Sequence, residues 1–286
     1  MSAEKPLDAL RREIDAIDDS IHDLIMRRTQ VVEHVRDLKA GDPVKIRPAR
    51  EAEILYRLIG RHKGPFPKRE LVRIWRELIV ATLGFEGPFS VAVFAPEDGP
   101  GCWDLARDQY GSFTGLNAHG SAADVINAVR GGKNTIGVLP APAVDDRLPW
   151  WPLLNSKEIN TPRIVARLPF AGPSNALGNP RGGIVDGVVI CPMNPEPAGR
   201  DMTYLAAQSE GAADPAGIEA AARQAGLNVI LTAADPHSGT CLIEVDGFLG
   251  EGDPALTQLT SALGGQAATI LPLGGYARPL STEDLL

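Results

Sequence analysis

Arg28 interrupts a set of apolar positions that otherwise repeats without a break. Leu7, Ile14, Ile21 and Val35 recur every seven residues, and Leu10, Ile17, Leu24, Val31 and Leu38 form a companion series. Together they make the coiled-coil-like seam of a long amphipathic helix. The first series predicts an apolar side chain at position 28, and the chain places an arginine there. A guanidinium against such a seam is costly unless an anion meets it. That anion is either a carboxylate of the protein, with Glu51 the candidate, or a bound ligand.

Helix geometry sorts the other charged residues around this one. Lys39 lies eleven residues beyond Arg28, three turns on, and shares its face. Arg11 lies seventeen residues before Arg28 and points about 100° away, so it cannot easily serve the same pocket in one chain. A dimer partner can deliver it. Arg50 and Glu51 fall on the first turn of a second helix that opens at Pro48, a residue suited to that position. Leu78, Thr82 and Glu86 are spaced by four on a third helix, which puts a hydroxyl and a carboxyl on an otherwise apolar side. Each residue also has a plain structural role: Thr82 bonded to its own helix, Glu86 exposed at a helix end, and Arg12, Arg27, Arg36 and Arg61 solvated. Taken together, the anomalous groups fall where one small charged cavity can form.

These residues need elements to position them. Residues 1–86 read as three helices. The first runs from about residue 6 to 39 and stops at Gly41-Asp42-Pro43. The second carries Ile54, Leu55, Leu58 and Ile59. The third spans about 68–83 with Leu71, Ile74, Trp75, Leu78 and Ile79 inward. The first helix is about 50 Å long, and two short helices cannot cover it, so an intertwined homodimer is expected. Composition changes at Gly87-Pro88. Strands near 90–95, 135–139 and 187–191 alternate with helices at 103–110 and 122–130, the rhythm of an α/β region over 87–198. Residues 141–183, rich in Pro, Gly and Asn, give no clear element. Residues 199–286 read as βαββαβ, a ferredoxin-like split.

The composition narrows the function. The 286 residues suggest two or three compact units. A formal net charge of -8 disfavours nucleic acid as a partner, yet the first eighty-odd residues hold most of the chain's arginines, which suggests a local anionic ligand. There is no run of eighteen apolar residues to span a membrane. The polar N-terminus argues against a signal peptide. Three widely spaced cysteines fit no metal or disulfide pattern, so a reducing cytoplasm is expected.

Residues 7–86 resemble the all-helical chorismate mutase family. The segment LDALRREIDAID, the spacing to Arg28, the position of Lys39, the segment RPAREAEIL and the final helix carry the resemblance. It implies conversion of chorismate to prephenate in an intertwined homodimer, with no cofactor and no metal. By the same resemblance, Arg28 and the partner's Arg11 hold the two substrate carboxylates. Lys39 bonds the ether oxygen, Glu51 takes the ring hydroxyl, and Arg50 lines and orders the pocket. Thr82 stands where the family often has a serine near a carboxylate, and Glu86 stands beside the ether oxygen. Arg47 falls where some relatives carry an aspartate. These types suit a Claisen rearrangement, which is pericyclic and needs no nucleophile. The enzyme must hold a dianion in its reactive shape and stabilise charge growing on the ether oxygen. The arginine fork matches carboxylates. Glu86 helps a developing oxyanion only as a carboxylic acid, so turnover is expected to fall as pH rises.

The rest of the chain resembles other parts of the same pathway's enzymes. SVAVFAPEDGPG and GGKNTIGVLPAP, within 90–142, resemble the opening of a prephenate dehydratase domain. Ala141-Pro142-Ala143 stands where that family has Glu-Asn-Ser. The nearest candidates for its Thr-Arg-Phe signature are Thr161-Pro162-Arg163 and Thr203-Tyr204. LNVILTAADP and the late LGGY resemble the regulatory ACT domain. The expected protein is therefore multidomain. An all-α three-helix mutase unit precedes a degenerate dehydratase-like α/β region and an ACT-like βαββαβ unit. Three alternatives stand beside a mutase with a degenerate remainder: a bifunctional mutase–dehydratase, a non-catalytic amino-acid-sensing module, and a purely structural helical dimerisation domain.

Overall fold

The computed structural model describes residues 6–38, 46–99, 101–144, 149–174, 184–209, 214–235, 237–264 and 269–286, without the side chains of Phe85 and Glu86. Helix α1 spans Pro6–Leu38, 33 residues and about 50 Å. None of its residues is buried within one chain. Its seam lies open, with Leu10, Ile14, Ile17, Ile21, Leu24 and Val31 all about half exposed or more. An apolar stripe of that length is far larger than a solitary chain ordinarily shows to water.

Helix α2 (Pro48–Arg61) and helix α3 (Lys68–Glu86) behave differently. Ala49, Ala52, Leu55 and Ile59 recur at helical spacing and form the buried face of α2. Ala52, Leu55 and Ile59 pack with Val72 of α3 and with Phe170, Ala277 and Leu280 from the far side of the chain. The buried stripe of α3 is Val72, Arg76, Ile79 and Leu83. Ile74, expected inward, is exposed, since it lies off the stripe of Val72, Arg76, Ile79 and Leu83 that the rest of the chain covers.

The nine strands among the described residues form one sheet in the order β2-β1-β3-β5-β4-β9-β6-β8-β7. Strand β1 (Ser90–Phe94) is flanked in parallel by β2 (Gly115–His119) and β3 (Ile136–Pro140), with α4 (Trp103–Tyr110) and α5 (Ala122–Arg130) as the crossovers. Alternation sorts the faces. Val91 and Val93 pack with α4 and with Leu83 of α3, whereas Ala92 packs with α5 and Trp151. Strand β5 (Gly187–Cys191) pairs antiparallel with β3 and with β4 (Arg163–Leu168).

The last part has the βαββαβ order: β6 (Asp201–Gln208), α6 (Pro215–Gln224), β7 (Val229–Ala234), β8 (Thr240–Asp246), α7 (Pro254–Leu263) and β9 (Thr269–Ala277). Its strands run β9-β6-β8-β7, all antiparallel, with α6 and α7 on one face around Leu205, Ile243 and Leu259. A short helix, α8 (Thr282–Leu285), closes the chain with Ser281 and Asp284 as a capping box.

The two α/β parts share the sheet through a narrow joint, where Ile164 of β4 pairs with Gly274 of β9. A Cβ on Gly274 would sit 2.2 Å from the Ile164 carbonyl oxygen, and its φ is +141°. Only glycine allows the two backbones so close.

Candidate active site

Arg28 is half-buried against α3, where its Nη1 donates to the Leu78 carbonyl at 3.3 Å. Burial lowers its pKa from the ordinary arginine value. Among the described residues no carboxylate lies within ion-pair distance of it. Thr82, one turn beyond Leu78, is buried; its Oγ1 donates to the Ile79 carbonyl at 2.8 Å and lies 3.4 Å from the same Leu78 carbonyl that Arg28 uses. The structure therefore brings Arg28 and Thr82 to a single carbonyl oxygen, with the Thr82 hydroxyl engaged by its own helix.

Glu51 does not answer Arg28. It forms an ion pair with Arg76 of α3, the two side chains 13% and 7% exposed. Its other oxygen accepts from the Arg47 amide at 3.4 Å. Sequence reasoning missed Arg76, although the signal was the one that singled out Arg28: a guanidinium at an apolar position, here within the stripe Val72, Arg76, Ile79 and Leu83. Tyr110 of α4 is buried beside this pair, and burial followed by the Glu51 charge pushes its hydroxyl well above the usual range.

The remaining positions are scattered in a single chain. Arg11 is exposed and bonds Asp8 at 3.3 Å. Seventeen residues of helix put it about 25 Å along the axis from Arg28, so within one chain the two do not share a pocket. Arg50 is exposed and pairs with Glu53 at 2.8 Å. Lys39 lies outside the described residues, as does the side chain of Glu86, whose backbone ends α3.

The dehydratase candidates are tied into the fold. Arg163 is buried and donates to the carbonyls of Leu154 and Ser156 at 3.0 and 2.8 Å. Thr161 is buried with its hydroxyl unpartnered among the described residues. Thr203 donates to the Gly247 carbonyl at 2.7 Å and accepts from the Leu249 amide at 3.0 Å. Tyr204 receives a hydrogen bond from Arg167, which is itself held by Asp186. Among the described residues no group of three His, Cys, Asp or Glu side chains is placed to hold a metal ion, and no helix is long and apolar enough to cross a membrane.

Residues 10–87 match the chorismate mutase type II family. A bifunctional chorismate mutase/prephenate dehydratase of Stutzerimonas stutzeri is 32% identical over 146 residues, which is 49% of this chain and 40% of that protein. The Pseudomonas aeruginosa protein of the same description is 31% identical over the same length. The chain thus spans about two fifths of the length of the curated relatives it matches. Among solved structures, prephenate dehydratase of Arthrobacter aurescens in complex with L-Phe is 13% identical, with a TM-score of 0.45 over 67% of this chain and 92% of that one. The helical unit is thus a chorismate mutase type II domain, joined to a mixed α/β region with a large sheet.

Proposed function

We propose that the protein is a chorismate mutase that rearranges chorismate to prephenate for aromatic amino acid synthesis, working in the cytoplasm as an intertwined homodimer. The observation that carries this reading is Arg28: half-buried on an apolar seam, bonded to a carbonyl, and with no carboxylate partner among the described residues. Its charge is left for an anionic guest. The exposed seam of α1 supports a second copy lying along it, and that copy's Arg11 would supply the cation that the same chain's Arg11, about 25 Å off, cannot. In this site Arg28 and the partner's Arg11 clamp the carboxylates, Lys39 and a protonated Glu86 meet the ether oxygen, and Arg50 with Glu51 and Thr82 line the rest. Arg76 is a positioning residue that fixes Glu51.

The bifunctional mutase–dehydratase reading draws on the descriptions of the curated relatives. The hydrogen bonds that occupy Arg163 and Thr203 favour the mutase alone. The proposal is tested by mixing the purified chain with chorismate and following loss of its absorbance, with and without Arg28→Ala. Turnover should be present and should drop by about two to three orders of magnitude in the variant, the usual loss for one preorganised donor to charge in a transition state. Phenylpyruvate formed from prephenate would instead restore the bifunctional reading.

A further inference from the structure

We infer, on the strength of the mutase reading, that Phe170 of the α/β region is a positioning residue for the rearrangement: it holds Arg76 against Glu51 and so sets the carboxylate that meets the substrate's ring hydroxyl. Phe170 lies two residues beyond the end of β4 and is 8% exposed. Its ring centroid is 5.7 Å from that of Tyr56 on α2 and 6.0 Å from the guanidinium carbon of Arg76 on α3. One side chain thus touches both the helix that carries Glu51 and the helix that carries Arg76. It packs in the same apolar cluster as Ala52, the neighbour of Glu51 in the chain, and Val72, one turn before Arg76. Its backbone is tied down as well. The Leu280 amide donates to the Phe170 carbonyl at 2.8 Å, and Ala171 pairs with Leu280.

The ring matters because Arg76 has an alternative. Arg76 and Phe170 both line a cleft of about 340 Å³, together with Arg69, Arg73, Leu105 and Leu168. A guanidinium on that wall can turn outward into the cleft and leave Glu51. An aromatic face attracts a cation that lies over it, so the Phe170 ring favours the orientation in which Arg76 meets Glu51. Glu51 still has room for a substrate. An ionised carboxylate accepts at about four lone-pair sites on its two oxygens. Arg76 bonds one oxygen and the Arg47 amide the other, which leaves a site on each for the ring hydroxyl. A carboxylate held from two sides presents those sites in a fixed direction, as a reaction that depends on substrate orientation requires.

The test is a pair of double-variant cycles on the full chain. Phe170→Leu and Phe170→Met each remove the ring and keep most of its volume, so loss of fold in one leaves the other. The first cycle follows chorismate turnover. Either change should lower kcat/KM by about tenfold in the native background. It should lower it by less than about twofold once Glu51 is already glutamine, because a group that acts through Glu51 then has nothing left to position. An equal loss in both backgrounds would make Phe170 a purely structural residue and overturn the inference. The second cycle follows urea unfolding and needs no substrate. Phe170→Leu and Arg76→Met should be coupled by at least about threefold in the unfolding constant, and strictly additive effects would overturn the inference by showing that the ring does not hold Arg76. A native chain inactive on chorismate would strike the mutase reading, and the catalytic role of Phe170 with it; the unfolding cycle would still decide whether the ring holds the pair.

Discussion

Replacing Arg76 with methionine should destabilise the helical unit by about 3–5 kcal/mol, the usual cost of leaving one member of a buried ion pair alone. The geometry sets that magnitude. Exposed pairs contribute about 0–1 kcal/mol because water screens them, but here the Arg76 and Glu51 side chains are only 7% and 13% exposed. The Arg47 amide already donates to Glu51, and Tyr110 is buried against it. With a urea slope of about 3 kcal/mol per molar, the unfolding midpoint should fall by at least about 1 M, read by circular dichroism. Glu51→Gln should cost a similar amount. The double variant Arg76→Met/Glu51→Gln should cost clearly less than the two single losses added together, because it removes both charges from the interior. Single losses below about 1 kcal/mol, or losses that simply add, would show that the pair is solvated and that the reasoning about α2 and α3 is wrong.

Further outcomes follow from other parts of the molecule. Glu86→Gln should flatten the fall of chorismate turnover with rising pH, since an amide donates at every pH; an unchanged profile removes Glu86 from the mechanism. Gly274→Ala should lower the melting temperature sharply, by more than the 1–3 kcal/mol or so of ordinary overpacking, because the new Cβ meets backbone at 2.2 Å; a neutral substitution would mean that the β4–β9 joint is not close. The Arg200 guanidinium, then the Ser281 amide, hold the Asp284 carboxyl down at about 2. A depressed carboxylate contributes stability above its unfolded value of about 3.9 and loses it as pH falls toward 2. Asp284→Asn should therefore reduce stability at neutral pH and leave a shallower acid limb between those values, and an identical acid limb would deny the pair any part in holding α8.

How far the sequence led differs from element to element. The helices were legible because period and punctuation agreed: α4, α5 and α7 lie where their apolar spacing and flanking glycines put them. The βαββαβ order was legible for the same reason. Strand β2 was not, because Gly115–His119 is a mostly exposed edge with no alternation to read. Strand β4 was hidden by the prolines around it, although Ile164, Val165 and Leu168 are buried. In the site, Arg28 stood out because it broke a long repeat. Arg76 broke a shorter one of four positions and passed unnoticed, and so Glu51 was offered to the wrong guanidinium. The cleft that Arg69 and Arg73 of α3 line could not be seen at all, since its floor comes from Leu105, Leu168 and Phe170, far away in the chain.

Complementation measures directly whether the site is shared between two copies. Arg11→Ala and Arg28→Ala variants are assayed for chorismate turnover alone, and again after being unfolded together and refolded as a mixture. If Arg28 of one protomer works with the partner's Arg11, each mixed dimer has one doubly altered site and one intact site. Two inactive proteins should then recover about a quarter of normal activity, since half the dimers are mixed and each has one working site. A mixture as inactive as its components would contradict the shared site.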